Sequence, residues 1–155
     1  MVTWRNFMTL HNSPDCVTSD NFAKLMLGKP YVDRCCHVDA VDCWGLVVLY
    51  YRVCRGVNVH HNSDYSTGKD FVTCFDGVIT FWRETDTPEQ GDMIAAYRGS
   101  HPAHVALWWG RDKILHAREN TAVRFDRLKT LERLSTKLRF YKYAGHSYSE
   151  NPRDA

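Results

Sequence analysis

Residues 41–55 constrain this fold more than any other stretch, because almost every side chain in them is apolar. Read as a helix that begins near Cys43, the stretch places apolar side chains at helical spacing on one face and on the remaining faces as well. A helix that is apolar nearly all round is usually buried in the middle of a domain. Asp42 can cap its first turn, and Gly56 follows its end. The sequence therefore predicts a buried central helix.

Cys43 stands in the first turn of this predicted helix. Backbone N–H groups point outward there, and the helix dipole favours a negative charge. Such a position lowers the pKa of a thiol and makes it a nucleophile. The alternative is that Cys43 is a small, buried apolar residue, which is what most isolated cysteines are. The stretch alone leaves both interpretations open.

Length and charge narrow the class of protein. The 155 residues predict a single domain over 1–143 with a polar C-terminal tail over 144–155. A net charge of +2 is too small to indicate a nucleic-acid partner or an anionic membrane surface. The sequence has neither a run of about 18 apolar residues, as membrane insertion requires, nor the apolar core of a signal peptide. We therefore expect synthesis in the cytoplasm and free thiols at the six cysteines.

The chain predicts helices first and an antiparallel sheet after them. A short capped helix begins at Ser19 and ends before Gly28. Residues 71–82 are ambiguous, because Asp70 can cap a helix whereas the β-branched residues of the segment favour a strand; we expect a helix. The second half alternates short apolar runs with turns, and residues 126–134 form a further helix. The predicted strands cover residues 92–97, 103–109, 113–117, 121–125 and 138–143. This order of elements indicates an α+β domain.

A predicted hairpin supplies what a nucleophilic cysteine needs, which is a base and a group that orients the base. His104 lies on the first strand of this hairpin and His116 on the second. Alternation along each strand, together with twist, permits the two histidines to lie near each other. A sheet packed beside the start of the central helix would bring His104 to Cys43.

Several short motifs occur in an order and spacing that resemble a known family. They are Asp42-Cys43-Trp44-Gly45-Leu46, Gly91-Asp92, His104-Val105-Ala106 and Leu115-His116-Ala117. Over residues 19–143 the chain resembles the NlpC-type family of papain-like cell-wall peptidases, and within it the branch found in tail proteins of bacteriophages. The resemblance to this branch lies in Trp44, Asp64-Tyr65-Ser66 and Trp82-Arg83-Glu84.

The resemblance implies a papain-like fold in which the helix of the nucleophile packs on a central antiparallel sheet. It makes Cys43 the nucleophile, His104 the base and His116 the residue that orients the His104 imidazole. The Cys43 thiolate would attack a peptide carbonyl, with the Cys43 backbone N–H as an oxyanion donor. His104 would then protonate the leaving amine, and water would hydrolyse the acyl-enzyme.

Three further residues are carried over as candidate substrate-binding residues: Tyr31, Asp42 and Trp44. Asp42 matches a residue that meets the free amine of a substrate peptide in some members of the family. Its carboxylate beside the thiolate would raise the pKa of Cys43 unless it turns away or is neutralised. The loop 33–40 departs from the family, which often has a Gly-rich loop at this place, so substrate preference is not carried over.

The resemblance implies a thiol peptidase that hydrolyses peptide stems of bacterial peptidoglycan. The expected location is the virion, in a phage tail tip, with other tail proteins as partners. One alternative is a structural tail protein that keeps the fold without the chemistry, and another is a papain-like amidase or acyltransferase. No cofactor is expected. Cys35-Cys36-His37 with His60-His61 invites a metal-site interpretation, but their spacing fits no standard zinc pattern, so no metal is expected either.

Overall fold

The computed structural model describes residues 17–59 and 71–145. The helices in these ranges are α1 (Ser19–Met26), α2 (Cys43–Arg55), α3 (Phe71–Val78) and α4 (Leu128–Leu134). The strands are β1 (Cys36–His37), β2 (Ala40–Val41), β3 (Trp82–Glu84), β4 (Met93–Arg98), β5 (His101–Gly110), β6 (Lys113–Ala117), β7 (Val123–Arg127) and β8 (Lys137–Tyr143). The predicted α+β class is confirmed.

Helix α2 lies in the centre of the core, as its apolar composition predicts. Every residue in it is buried except Arg52 and Arg55. The Asp42 side chain accepts the N–H of Gly45, a cap of the kind that contributes about 1 kcal/mol. At the other end Gly56 adopts φ +63°, a left-handed conformation that glycine reaches without steric cost. The predicted central helix is therefore confirmed at both ends.

Six strands form one antiparallel sheet in the order β3-β8-β4-β5-β6-β7. Side chains alternate between its two faces. Val105 and Leu107 of β5 belong to the main core, together with the apolar side chains of α2. Ala106 of β5 and Ile114 of β6 face the other way and pack with Leu131 of α4. Strand β5 therefore runs between the two layers of helix, and the candidate site lies along it.

The segment 71–84 differs from its prediction. Helix α3 ends at Val78, a 3-10 turn covers Ile79–Phe81, and Trp82 begins β3. Trp82 is buried and lies opposite Tyr143 of β8. The strand thus depends on a pairing partner far along the chain, which a local pattern cannot indicate.

The loop over 33–41 also contains a structure that was not predicted, the small hairpin of β1 and β2. Several predictions lie outside the described residues and stay predictions. They concern the first 16 residues, Asp64-Tyr65-Ser66, His60-His61 and the tail from residue 146. The five described cysteines, Cys35, Cys36, Cys43, Cys54 and Cys74, are free thiols.

Candidate active site

Cys43 is the first residue of α2, and only 5% of its surface is exposed. Its thiol is close enough to the backbone N–H of Val105, and to those of Trp44 and of Cys43 itself, to be stabilised by them as a thiolate. Val105 directly follows His104 on β5. The start of α2 is therefore packed beside the strand of the candidate base, as predicted.

Asp42 connects the first turn of α2 to the preceding loop. Its carboxylate is fully buried, with Oδ1 accepting the N–H of Gly45 at 2.6 Å and Oδ2 accepting the N–H of Arg34 at 2.9 Å. The Asp42 N–H in turn donates to the carbonyl of Cys35 at 2.9 Å. These bonds hold the loop on the helix without a glycine in the loop, because Arg34 itself takes the left-handed conformation, with φ 58°. The role of Asp42 in substrate binding stays a prediction.

Gly45 leaves the space that this loop occupies. A Cβ at position 45 would lie 2.1 Å from the backbone oxygen of Cys35. We expect Gly45→Ala to lower the free energy of unfolding by about 3 kcal/mol, because the loop and the helix start must separate. Gly56→Ala is the matched control at the other end of α2. A Cβ at position 56 would have no atom within 4 Å. The substitution should lower the free energy of unfolding by about 1 kcal/mol, through the positive φ alone. Equal losses in urea unfolding would contradict the close approach.

The resting thiol of Cys43 is neutral. Burial is the largest cause and the Asp42 carboxylate the second, and together they raise its pKa to about 12, although the N–H groups of Val105 and the helix start lower it. The prediction of a lowered pKa is therefore wrong for the free protein. Desolvation of a thiolate in this packed position outweighs its stabilisation by the N–H groups.

The imidazole of His104 is also neutral at rest. Burial is the largest cause, and the neighbouring His116, Arg118 and Arg98 side chains disfavour a further positive charge, so that its pKa is lowered to about 3. Among the described residues the Cys43 thiol has no direct hydrogen bond to this ring. A neutral thiol and a neutral imidazole mean that proton transfer must accompany attack on a substrate, rather than precede it.

This resting state predicts a pH profile for modification of Cys43. Thiolate is the reactive form, and its fraction rises about tenfold per pH unit at every pH well below a pKa of about 12. The rate of iodoacetamide alkylation should therefore rise about tenfold per unit from about pH 5 to about pH 8. Mass spectrometry of the peptide that contains Cys43 separates this rate from those of the other thiols. A rate independent of pH would indicate a preformed thiolate–imidazolium pair instead.

The two histidines lie in contact, as the hairpin predicts. Nε2 of His104 is 2.9 Å from Nδ1 of His116, and the His116 side chain is fully buried. On the next strand Asp126 extends the contact, with Oδ2 at 2.7 Å from Nε2 of His116. Arg124 Nε approaches the same carboxylate oxygen at 3.1 Å. We call the chain His104–His116–Asp126 the relay.

Sequence reasoning missed Asp126, because it began the predicted helix 126–134 at this residue; that start is wrong, since β7 continues to Arg127 and α4 begins at Leu128. Asp126 lies on β7 opposite Ile114 of β6, while Arg124 lies opposite His116. The available signal was the alternation over 123–126, in which two apolar residues alternate with Arg124 and Asp126. Alternation gives the two polar residues one common face. Only the register with β6 shows that this face is the one that carries His116.

Tyr31 lies beside the nucleophile. Its pKa is raised above the usual range by burial first and by the neighbouring Cys43 and Asp42 side chains next. Trp44 is buried and meets the ring of Trp82 with centroids 6.4 Å apart, so the structure gives it a place in the core. Substrate contact by Tyr31 or Trp44 stays a prediction.

A cavity of about 310 Å³ opens beside the relay. His104 and His116 lie in its wall with the charged residues Arg98, Arg118 and Glu119. Leu131 and Leu134 of α4 also line it, so this cavity lies on the α4 side of the sheet.

The family model described as the NlpC/P60 family matches residues 28–139. The chain belongs to the NlpC/P60 family. Members of this family are generally cysteine peptidases or amidases. The match contains every candidate site residue and Asp126. A search of curated protein sequences found no significant match.

Solved structures of NlpC/P60 domains share the fold. The domain of the peptidoglycan hydrolase SagA is 16% identical with a TM-score of 0.53, over 77% of this chain and 91% of its own. The P60 domain of an antigen from M. avium subspecies paratuberculosis is 16% identical with a TM-score of 0.54, over 92% and 97%. An NlpC/P60 protein from Bacillus cereus ATCC 10987 is 18% identical with a TM-score of 0.59, over 88% of this chain and 43% of its own. The chain thus spans less than half of the Bacillus protein.

The described residues, 17–59 and 71–145, contain no helix long and apolar enough to cross a membrane. Nor do they contain a group of three or more His, Cys, Asp or Glu side chains able to hold a metal ion.

Proposed function

We propose that this NlpC/P60 chain is a cysteine peptidase that hydrolyses peptide stems of bacterial peptidoglycan. The observation that carries the proposal is the relay, in which Nε2 of His104 lies 2.9 Å from Nδ1 of His116. The Cys43 thiol lies at the backbone of the next residue, Val105. A nucleophile, a base and a group that orients the base are the parts that acyl transfer requires.

The chemistry follows from these parts. Sγ of Cys43 attacks the carbonyl carbon of the stem peptide while its proton passes to His104. The Cys43 backbone N–H, at the start of α2, stabilises the oxyanion. His104 then gives the proton to the leaving amine, and a water molecule hydrolyses the thioester to release the acid and the free thiol.

Digestion of purified peptidoglycan tests the proposal. Incubation with the protein should release muropeptides that carry a new amino terminus within the stem, as identified by mass spectrometry. Cleavage only at the amide between the sugar lactyl group and the stem would instead assign amidase activity. An absence of new termini, with a folded protein at micromolar concentration, would overturn an enzymatic role.

A second candidate is a structural tail protein that keeps the fold without its chemistry. The burial of Cys43 and its raised thiol pKa favour this alternative. The digestion distinguishes the two functions, because a structural protein releases nothing.

The phage tail is the location we propose for either function. The support is the resemblance of Trp44 and Trp82–Glu84 to the tail branch of the family, and the partners would be other tail-tip proteins. Immunodetection in purified virions or tail intermediates is the expected result. Detection only in a bacterial culture without a phage genome would refute this location.

A further inference from the structure

Asp126 is the last member of the relay, and it restricts where the protons of the relay lie. A carboxylate only accepts hydrogen bonds, so the contact of 2.7 Å requires the proton on Nε2 of His116. Nδ1 of a neutral His116 is then bare and accepts the contact of 2.9 Å from Nε2–H of His104. A neutral imidazole carries only one N–H, so Nδ1 of His104 is left without a proton.

We propose that Asp126 is a positioning residue that fixes the tautomers of both histidines and thereby makes Nδ1 of His104 the basic nitrogen. In the reaction this nitrogen takes the proton from Sγ of Cys43 and later gives it to the leaving amine. That last step rests on the proposed function. The tautomers themselves do not, since they exist in the free protein.

Arg124 holds the carboxylate in place. Its Nε forms an ion pair at 3.1 Å with Oδ2 of Asp126, the same oxygen that accepts from His116. The Asp126 side chain is only 12% exposed, and that of Arg124 is 49% exposed. An N–H donor and a guanidinium charge that converge on one nearly buried oxygen fix the orientation of the group, so an oxygen is required at this place.

A charged His116 would give the opposite result. Both nitrogens of an imidazolium donate hydrogen bonds. Nε2 of His104 would then have to accept, and its proton would lie on Nδ1. In that arrangement His104 could not take a proton from Cys43 through Nδ1. The two possibilities therefore differ on both rings: in whether Nδ1 of His116 carries a proton, and in which nitrogen of His104 carries one.

Nitrogen NMR of the imidazole rings near neutral pH decides between them without substrate. Shifts and ring couplings in ¹⁵N-labelled protein distinguish Nδ1–H from Nε2–H. We expect Nε2–H and a bare Nδ1 for both His104 and His116. A proton on Nδ1 of His104, or a charged His116, would overturn the proposal.

Substitutions at Asp126 test the same point through activity. Asp126→Leu removes the acceptor, so kcat should fall about 10²-fold with little change in KM, and Nδ1–H should appear at His116. In Asp126→Asn the donors Arg124 and His116 both favour the amide oxygen, so kcat should recover to within about tenfold of wild type. Asp86→Asn, an exposed carboxylate between β3 and β4, is the control for an acid-to-amide change and should match wild type.

A double variant makes the role of Arg124 measurable. Arg124→Met added to Asp126→Asn frees the amide to rotate and donate to His116. The ring should then move toward the Nδ1–H tautomer, and kcat should fall about tenfold or more below that of Asp126→Asn. A kcat and an NMR spectrum of Asp126→Leu that match wild type would refute the proposal. Correct tautomers in a protein that cleaves no peptidoglycan would refute only the proposed function.

Discussion

Cys43→Ala should abolish peptide hydrolysis and leave the fold intact. The substitution removes the nucleophile, and loss of a nucleophile of this kind lowers kcat by on the order of 10⁶-fold. It also removes one buried sulfur from the start of α2, which should cost about 1 kcal/mol of the free energy of unfolding. The measurements are the release of muropeptides from peptidoglycan and the melting temperature.

Cys54→Ala is the matched control for this experiment. Cys54 is also buried in α2, at the opposite end, where its thiol contacts the carbonyl of Thr18. It loses a similar apolar contact but not the nucleophile, so its activity should equal that of wild type. If Cys43→Ala retained the activity of Cys54→Ala, the nucleophile would have to be another group.

His116→Ala should produce the second large effect, a fall in turnover of about 10³-fold with little change in substrate affinity. His116 holds the base without touching the substrate, so its loss affects the transition state more than the bound state. The alanine also leaves the His104 and Asp126 groups without their partner, which should cost about 2 kcal/mol of stability. Activity is therefore compared below the melting temperature of the variant.

His116→Asn should recover part of this loss. Its Oδ1 occupies the same place along the side chain as Nδ1 of the imidazole and can accept Nε2–H of His104. The asparagine side chain has no atom at the position of Nε2, so the contact to Asp126 is lost. His101→Ala, an exposed histidine on β5, the strand of His104, should behave as wild type. Equal turnover of wild type and His116→Ala would assign the orienting role to another group.

The sequence predicts the elements of this fold well where their signals are local. The bounds of α2 follow from its apolar run, from Asp42 and from Gly56, and the strand pair of the hairpin follows from its turn. The strand at Trp82 could not be predicted in this way. Its stability comes from pairing with Tyr143 and from burial in the core, neither of which is encoded within the segment.

The candidate site shows the same division. Sequence alone determined that a cysteine begins a buried helix and that two histidines lie on adjacent strands, because helical caps and strand alternation are local properties. Only the tertiary structure decided that Asp126 completes the relay, since this depends on the register of β7 against β6. It also reversed the predicted pKa shift of Cys43. The helix start favours a thiolate, but desolvation depends on everything packed around that start, and here it is the larger effect.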